Sequence, residues 1–187
     1  ISVGTHLTTN QLKRMYVEGL RLLHSAESQL KNTLPQMARV PGAEELRVWL
    51  AGRPEQAKEH VTSLEKICAA IQESPRSEKC THTEFLLAEG MRIMRKPGAP
   101  EKLDMELVAI AHGIEVQEIA GLGSVCSHAR LLKEDAASSV LEEMLEERKV
   151  AARGLARLSD AMEAKVSGID RITGATFRRY GNENHVG

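Results

Sequence analysis

The sequence predicts an all-α protein: an antiparallel four-helix bundle with a short extra helix in the connection between the second and third long helices. Three observations predict it. Apolar residues recur at three- and four-residue steps through four long segments, each bounded by capping residues, Pro or Gly. Aromatic residues make up 3% of the chain and β-branched runs are few, so the residues that favour strands are scarce. At 187 residues with 42% hydrophobic content, the chain can bury one substantial core.

Residues 1–10 read as a lead-in, with Thr8, Thr9 or Asn10 as the helix cap. The first long helix runs to about Arg39, carries Leu12, Tyr16, Gly19, Leu23, Leu30, Leu34 and Met37, and stops at Pro41-Gly42. Pro35 is expected to bend its last turn. The second spans roughly Ala43 to Glu73, with Leu46, Trp49, Leu50, Ala57, His60, Val61, Leu64, Ile67 and Ile71 inward. Gly52-Arg53-Pro54 is expected to kink or break it. Residues 74–102 form a crossover, with turn signals around a short helix that carries Phe85, Leu86, Met91 and Met94. The third long helix spans roughly Glu101 to Leu132 and the fourth Asp135 to Lys165, with Gly168 near its C-cap. Residues 1–168 are therefore assigned to the bundle, and 169–187 to a polar tail that would need a neighbouring subunit to order it. Two helical hairpins joined by one long connection give the ferritin-like topology.

Composition excludes several classes of function. A net charge of −1 provides no field for nucleic acid or anionic membranes. No stretch approaches the ~18 apolar residues of a membrane span. Cys68, Cys80 and Cys126 are odd in number and widely spaced, so neither a zinc knuckle nor a redox dithiol is indicated, and a reducing, cytoplasmic setting is expected. The seven methionines read as core filler. Gly121-Leu122-Gly123 lies within a helical pattern, where small residues permit close packing and not phosphate binding.

The chemistry-bearing feature is charge on inward faces. Glu27 falls four residues after Leu23 and three before Leu30, and His60 falls three after Ala57 and four before Leu64. Glu115 and Glu118 share a face of the third helix, and Glu147 lies between Met144 and Ala151, with Glu143 one turn earlier. A buried carboxylate is costly unless paired or bound to a cation, and one on nearly every helix points to a metal site in a bundle core. Carboxylate oxygens with one imidazole suit iron or manganese. Glu27 and His60 are 33 residues apart and Glu115 and Glu147 are 32 apart, so both hairpins deliver these groups at similar height. The expected ligands of a di-iron or di-manganese centre are Glu27, His60, Glu115, Glu118 and Glu147, with Glu143 behind them. Gln56 and Glu59 are fallback ligands, and His24 and His112 supporting partners. Pairing with Arg or Lys is the alternative for Glu115 and Glu118.

Around these residues stand LLHSAESQL, EHVTSLEKI, FLLAEG, IEVQEIAGLGSV and LEEMLEERKVAARGL. From about Leu12 to about Met162 the chain resembles the YciE/YciF-like stress proteins, a branch of the ferritin-like superfamily. The resemblance implies a ferritin-like bundle, a di-metal site, bacterial origin and a role in stress. Departures bear on the metal more than on the fold. The wider superfamily carries E-x-x-H on two helices, but here Ala57 precedes His60 and Val150 follows Glu147, and Val116 stands where the family string has His. The leading expectation is a stress protein whose metal pair reacts with oxygen or peroxide, its catalytic residues unassigned. The alternative is a metal-poor, non-enzymatic homo-oligomer, a homodimer or larger.

Overall fold

Thr8 starts the first helix through a reciprocal cap. Its hydroxyl oxygen accepts the Gln11 N–H at 3.2 Å, and Gln11 Oε1 accepts the Thr8 N–H at 2.8 Å. The computed structural model describes residues 7–76 and 79–180, with side chains to residue 165. The helices are α1 (Thr9–Met37), α2 (Glu44–Ala70), α3 (Thr81–Ile93), α4 (Pro100–Leu131) and α5 (Asp135–Tyr180), with no strand among the described residues. Short turns join α1 to α2 and α4 to α5 as hairpins. α1 also packs on α4, α3 lies against α1 and α4, and the α2–α5 seam is the least closely packed of these.

The apolar stripes form two clusters, one toward each end of the bundle. One holds Leu30, Leu34, Met37, Leu46, Leu50, Leu107, Ile114 and Leu155, and the other Tyr16, Leu20, Leu23, Leu64, Leu122, Val125, Leu141 and Met144. Each fully buried Leu stabilises the fold by about 1.5–3 kcal/mol relative to exposure. Between the clusters, on every long helix, the stripe is interrupted by a charged or titratable residue. α1 and α4 approach closely at Gly19, where a Cβ would lie 2.5 Å from Val125 Cγ2.

Two expectations change. The break allowed for at Gly52-Arg53-Pro54 does not occur, and α2 runs as one helix: Pro54 removes one backbone donor, but Leu46, Leu50, Arg53, Ala57 and His60 remain buried on one continuous face. α5 continues past Gly168 to Tyr180, because an interior Gly costs only about 1 kcal/mol and no Pro follows to stop the helix. Phe85, one of the apolar residues that mark the short helix in the sequence, is 68% exposed, and Leu87 and Ile93 provide the buried face of α3. The lead-in residues 1–6 and tail residues 181–187 lie outside the described residues.

The turn between α1 and α2 is held from across the bundle. Ala43 caps α2 without a side-chain hydrogen bond, and buried Asp104 of α4 accepts the N–H groups of Gly42 at 2.9 Å and Ala43 at 2.7 Å. An anion at a helix N-terminus meets the orphan donors and the positive end of the helix dipole. At the other end, Gln72 and Lys133 adopt positive φ (59° and 61°) just past α2 and α4. The Glu73 N–H donates to Cys68 O and the Glu134 N–H to Ala129 O, each at 2.9 Å, completing Schellman turns. Asp104→Ala is expected to destabilise by about 1–3 kcal/mol in urea unfolding, since two buried N–H groups lose their acceptor. Gln72→Gly and Lys133→Gly should each raise stability by about 0.5–1 kcal/mol, because glycine enters this backbone region without strain.

Candidate functional site

The interrupting residues meet in one polar layer. Glu27 on α1 lies fully buried with both oxygens engaged. Its Oε1 lies 2.7 Å from His60 Nδ1 on α2, and its Oε2 accepts from Arg148 Nη2 on α5. Arg148 Nη1 donates to Glu115 Oε1 on α4 at 3.2 Å, and Arg53 Nη2 on α2 is ion-paired with the same oxygen at 3.0 Å. His60 Nε2 lies 2.7 Å from Glu147 Oε2, which also accepts from Gln56 Nε2 at 2.9 Å. Both ring nitrogens of His60 therefore face carboxylate oxygens, so the ring links Glu27 of α1 to Glu147 of α5.

Burial and charge act against each other here. Burial alone would push the Glu27 carboxyl up, but the Arg148 charge and the His60 contact outweigh it and hold Glu27 below the ordinary carboxylate range. Burial likewise works against the Arg148 charge, yet Glu27, Glu115 and Glu118 together raise its pKa. Arg53 is pulled down to about 10 by burial and by repulsion from Arg148, against the pull of Glu115, Glu27 and Glu147. Arg53 also lies 5.3 Å from the centre of the Trp49 ring, within cation–π range. Glu118 goes the other way: burial first, then the charge of Glu27, raise its carboxyl well above the ordinary value, and its Oε2 has no partner.

Of the residues singled out from sequence, Glu27, His60, Glu115 and Glu118 are all buried in this layer. Glu147 joins at its edge, its side chain 49% exposed. Glu143 is exposed and takes no part in the network; with Trp49, Arg53, Gln56 and Glu147 it lines a surface groove of about 810 Å³ along the α2–α5 seam. Gln56 supports Glu147, and Glu59 is exposed. His24 lies 3.2 Å from Glu65, and His112 lines a separate cleft with Met105 and Met162. The residues that sequence reasoning missed are Arg148 and Arg53, 1% and 7% exposed. Their signal was register: Arg148 continues the steps Leu141, Met144, Leu155, and Arg53 continues Leu46, Leu50, Ala57.

These residues, as arranged, do not fit a metal pair. Both oxygens of Glu27, Glu115 Oε1 and both nitrogens of His60 face side-chain partners, which leaves Glu115 Oε2 and Glu118 Oε2 as the buried carboxylate oxygens without one. Among the described residues, no group of three or more His, Cys, Asp or Glu side chains is placed to hold a metal ion.

A family described as a domain of unknown function, DUF892, matches residues 11–167. Protein YciF of Escherichia coli K12 is 26% identical over 139 residues, covering 74% of this chain and 84% of that protein. The crystal structure of the E. coli stress protein YciF superposes with a TM-score of 0.78 at 25% identity, covering 82% of this chain and 98% of that one. YcfI of Rhodopseudomonas palustris superposes with a TM-score of 0.73 at 24% identity, covering 83% and 97%. Among the described residues no helix is long and apolar enough to cross a membrane.

The opposite shifts of Glu27 and Glu118 predict opposite pH effects. Glu27, lowered in the fold, contributes stability that is present above its unfolded value of about 4.3 and is lost as pH falls through its folded value. Glu118, raised, imposes a cost absent below about pH 4.3 that grows as pH rises toward its folded value. Glu118→Gln should therefore raise stability at pH near 8 and leave it unchanged near pH 4. Glu27→Gln should lower it by about 3–5 kcal/mol at neutral pH, because Arg148 loses one of its two buried carboxylate partners. Urea unfolding across a pH series measures both.

Proposed function

This chain belongs to the DUF892 family of YciF-like proteins, and from that premise we propose that it is a non-enzymatic stress protein, a metal-poor bundle that works as a homo-oligomer. The observation that carries this reading is the placement of two buried arginines, Arg148 and Arg53, against the carboxylates that a metal centre would need. Cations supplied by the chain neutralise the acids, so the layer serves the fold and not a reaction. Val48, Phe85, Val116, Leu131 and Val150 are each more than half exposed, apolar area that a second copy of the chain could cover. The E. coli relative's description as a stress protein supports the physiological setting.

One observation favours a second reading. Glu115 Oε2 and Glu118 Oε2 are buried without partners, oxygens that a cation could use. In that reading iron or manganese would be held by Glu27, His60, Glu115, Glu118 and Glu147, with Glu143 a more distant candidate, and would supply redox chemistry toward oxygen or peroxide. It would require Arg148 and Arg53 to leave the layer.

Elemental analysis of protein purified without chelators, before and after anaerobic loading with Fe²⁺ or Mn²⁺, separates the two. The expected result is far less than one metal ion per chain, no peroxide turnover and a discrete oligomer by light scattering. Stoichiometric iron or manganese would overturn the metal-poor reading, and a monomer would overturn the homo-oligomer.

A further inference from the structure

We infer that the guanidinium of Arg148 occupies the cation position of the carboxylate layer, so that the bundle carries its counter-ion as a side chain and conceals a site for a free cation. This rests on the metal-poor reading of the wild-type protein but claims more, namely that the site survives beneath the arginine. The guanidinium bridges Glu27 Oε2 of α1 and Glu115 Oε1 of α4, as a metal ion bridges carboxylates from facing helices. His60 approaches the other oxygen of Glu27 at 2.7 Å, and Glu118 contributes an oxygen with no partner. Arg148 is itself 1% exposed and its Nε lacks a hydrogen-bond partner. Its anchorage is thus confined to the two terminal nitrogens that face the acids, the end of the side chain that a cation would replace.

Truncating Arg148 to Ala would leave Glu27, Glu115, Glu118 and His60 around a space the size of a guanidinium, with Arg53 still paired to Glu115 Oε1 at its edge. A hard or borderline cation matches such oxygen and imidazole donors, and water can complete its coordination. Arg148→Lys keeps a charge but lacks the planar fork that reaches both acids at once.

The test compares wild type, Arg148→Ala, Arg148→Gln and Arg148→Lys, titrated with Mn²⁺ and Co²⁺ under calorimetry, with Co²⁺ absorption bands and thermal melts as further readouts. The expected result is no binding to wild type or Arg148→Lys, and about one ion per chain bound by Arg148→Ala. That binding should be lost in Arg148→Ala/Glu27→Gln. Guanidinium ion at millimolar, non-denaturing concentration should raise the midpoint of Arg148→Ala and not that of wild type, by mass action on the vacated position. If Arg148→Ala is unfolded alone, recovery of its helical signal with Mn²⁺ or guanidinium supports the inference equally. Failure of both cations to bind or restore Arg148→Ala, with Arg148→Gln folded and metal-free, overturns it while leaving the metal-poor reading intact. Stoichiometric metal in wild type with Arg148 present overturns both.

Discussion

The bundle depends on one interaction above the others, the pairing of Arg148 with Glu27 and Glu115. It ties α5 to α1 and α4 in a single contact, and the adjoining His60–Glu27 pair adds α2. The apolar clusters on either side are dominated by Leu, whose packing tolerates small shifts. A charged group does not. Sliding one hairpin past the other by a helical turn would set Glu27 against leucines and leave Arg148 uncompensated, at a cost of several kcal/mol. The leucines therefore provide most of the driving force, and the polar layer fixes the register in which they meet.

That layer is asymmetric. Toward α1 and α4 its acids are buried, and there burial and the charge of Glu27 push the Glu118 carboxyl well above the ordinary carboxylate range. Toward α2 and α5 it reaches water: Glu147 is half exposed, and Arg53 leans on Trp49 at the wall of the groove. The Trp49 Nε1–H donates to Ala151 O at 3.2 Å and so pins α2 to α5 beside this opening. The loosest seam of the bundle thus coincides with the place where its buried charges contact solvent. Glu147 is accordingly the member of the network at which salt in the solvent is first felt.

Much of this architecture was legible in the sequence, because helical periodicity is a local property. The four long helices, the crossover helix and the convergence of Glu27, His60, Glu115 and Glu118 all followed from three- and four-residue steps. The arginines were hidden for different reasons. Arg53 sits in Gly52-Arg53-Pro54, where the turn signal masked an intact helical register, and Arg148 sits in LEEMLEERK, which reads as a solvated charged run. Long basic side chains usually carry their heads to water, so an inward position is a weak signal for them until a partner is known. The partners here come from other helices, 121 residues away for Glu27 and 33 for Glu115, which a local pattern does not contain. Gly168 is a weak stop signal for α5 because no Pro follows to enforce it, and the helix continues to Tyr180.

The buried arginines set the charge that any bound cation would meet in this interior. Glu27, Glu115 and Glu147 bring three negative charges, and Arg148 and Arg53 return two. His60 stands between Glu27 and Glu147, and burial with the charge of Glu27 pushes the Glu118 carboxyl well above the ordinary carboxylate range. The two guanidiniums thus offset much of the carboxylate charge from within the chain. Two divalent ions would add four positive charges to a region that already holds two buried cations, in a medium where uncompensated charge costs several kcal/mol per ion. Accommodating them would require both guanidiniums to withdraw. Withdrawal is hardest for Arg148, which is the most buried member of the pair and contacts acids on two helices at once. Carboxylates on facing helices are thus insufficient grounds for a metal centre; the number of buried cations the same chain supplies decides whether an ion is needed.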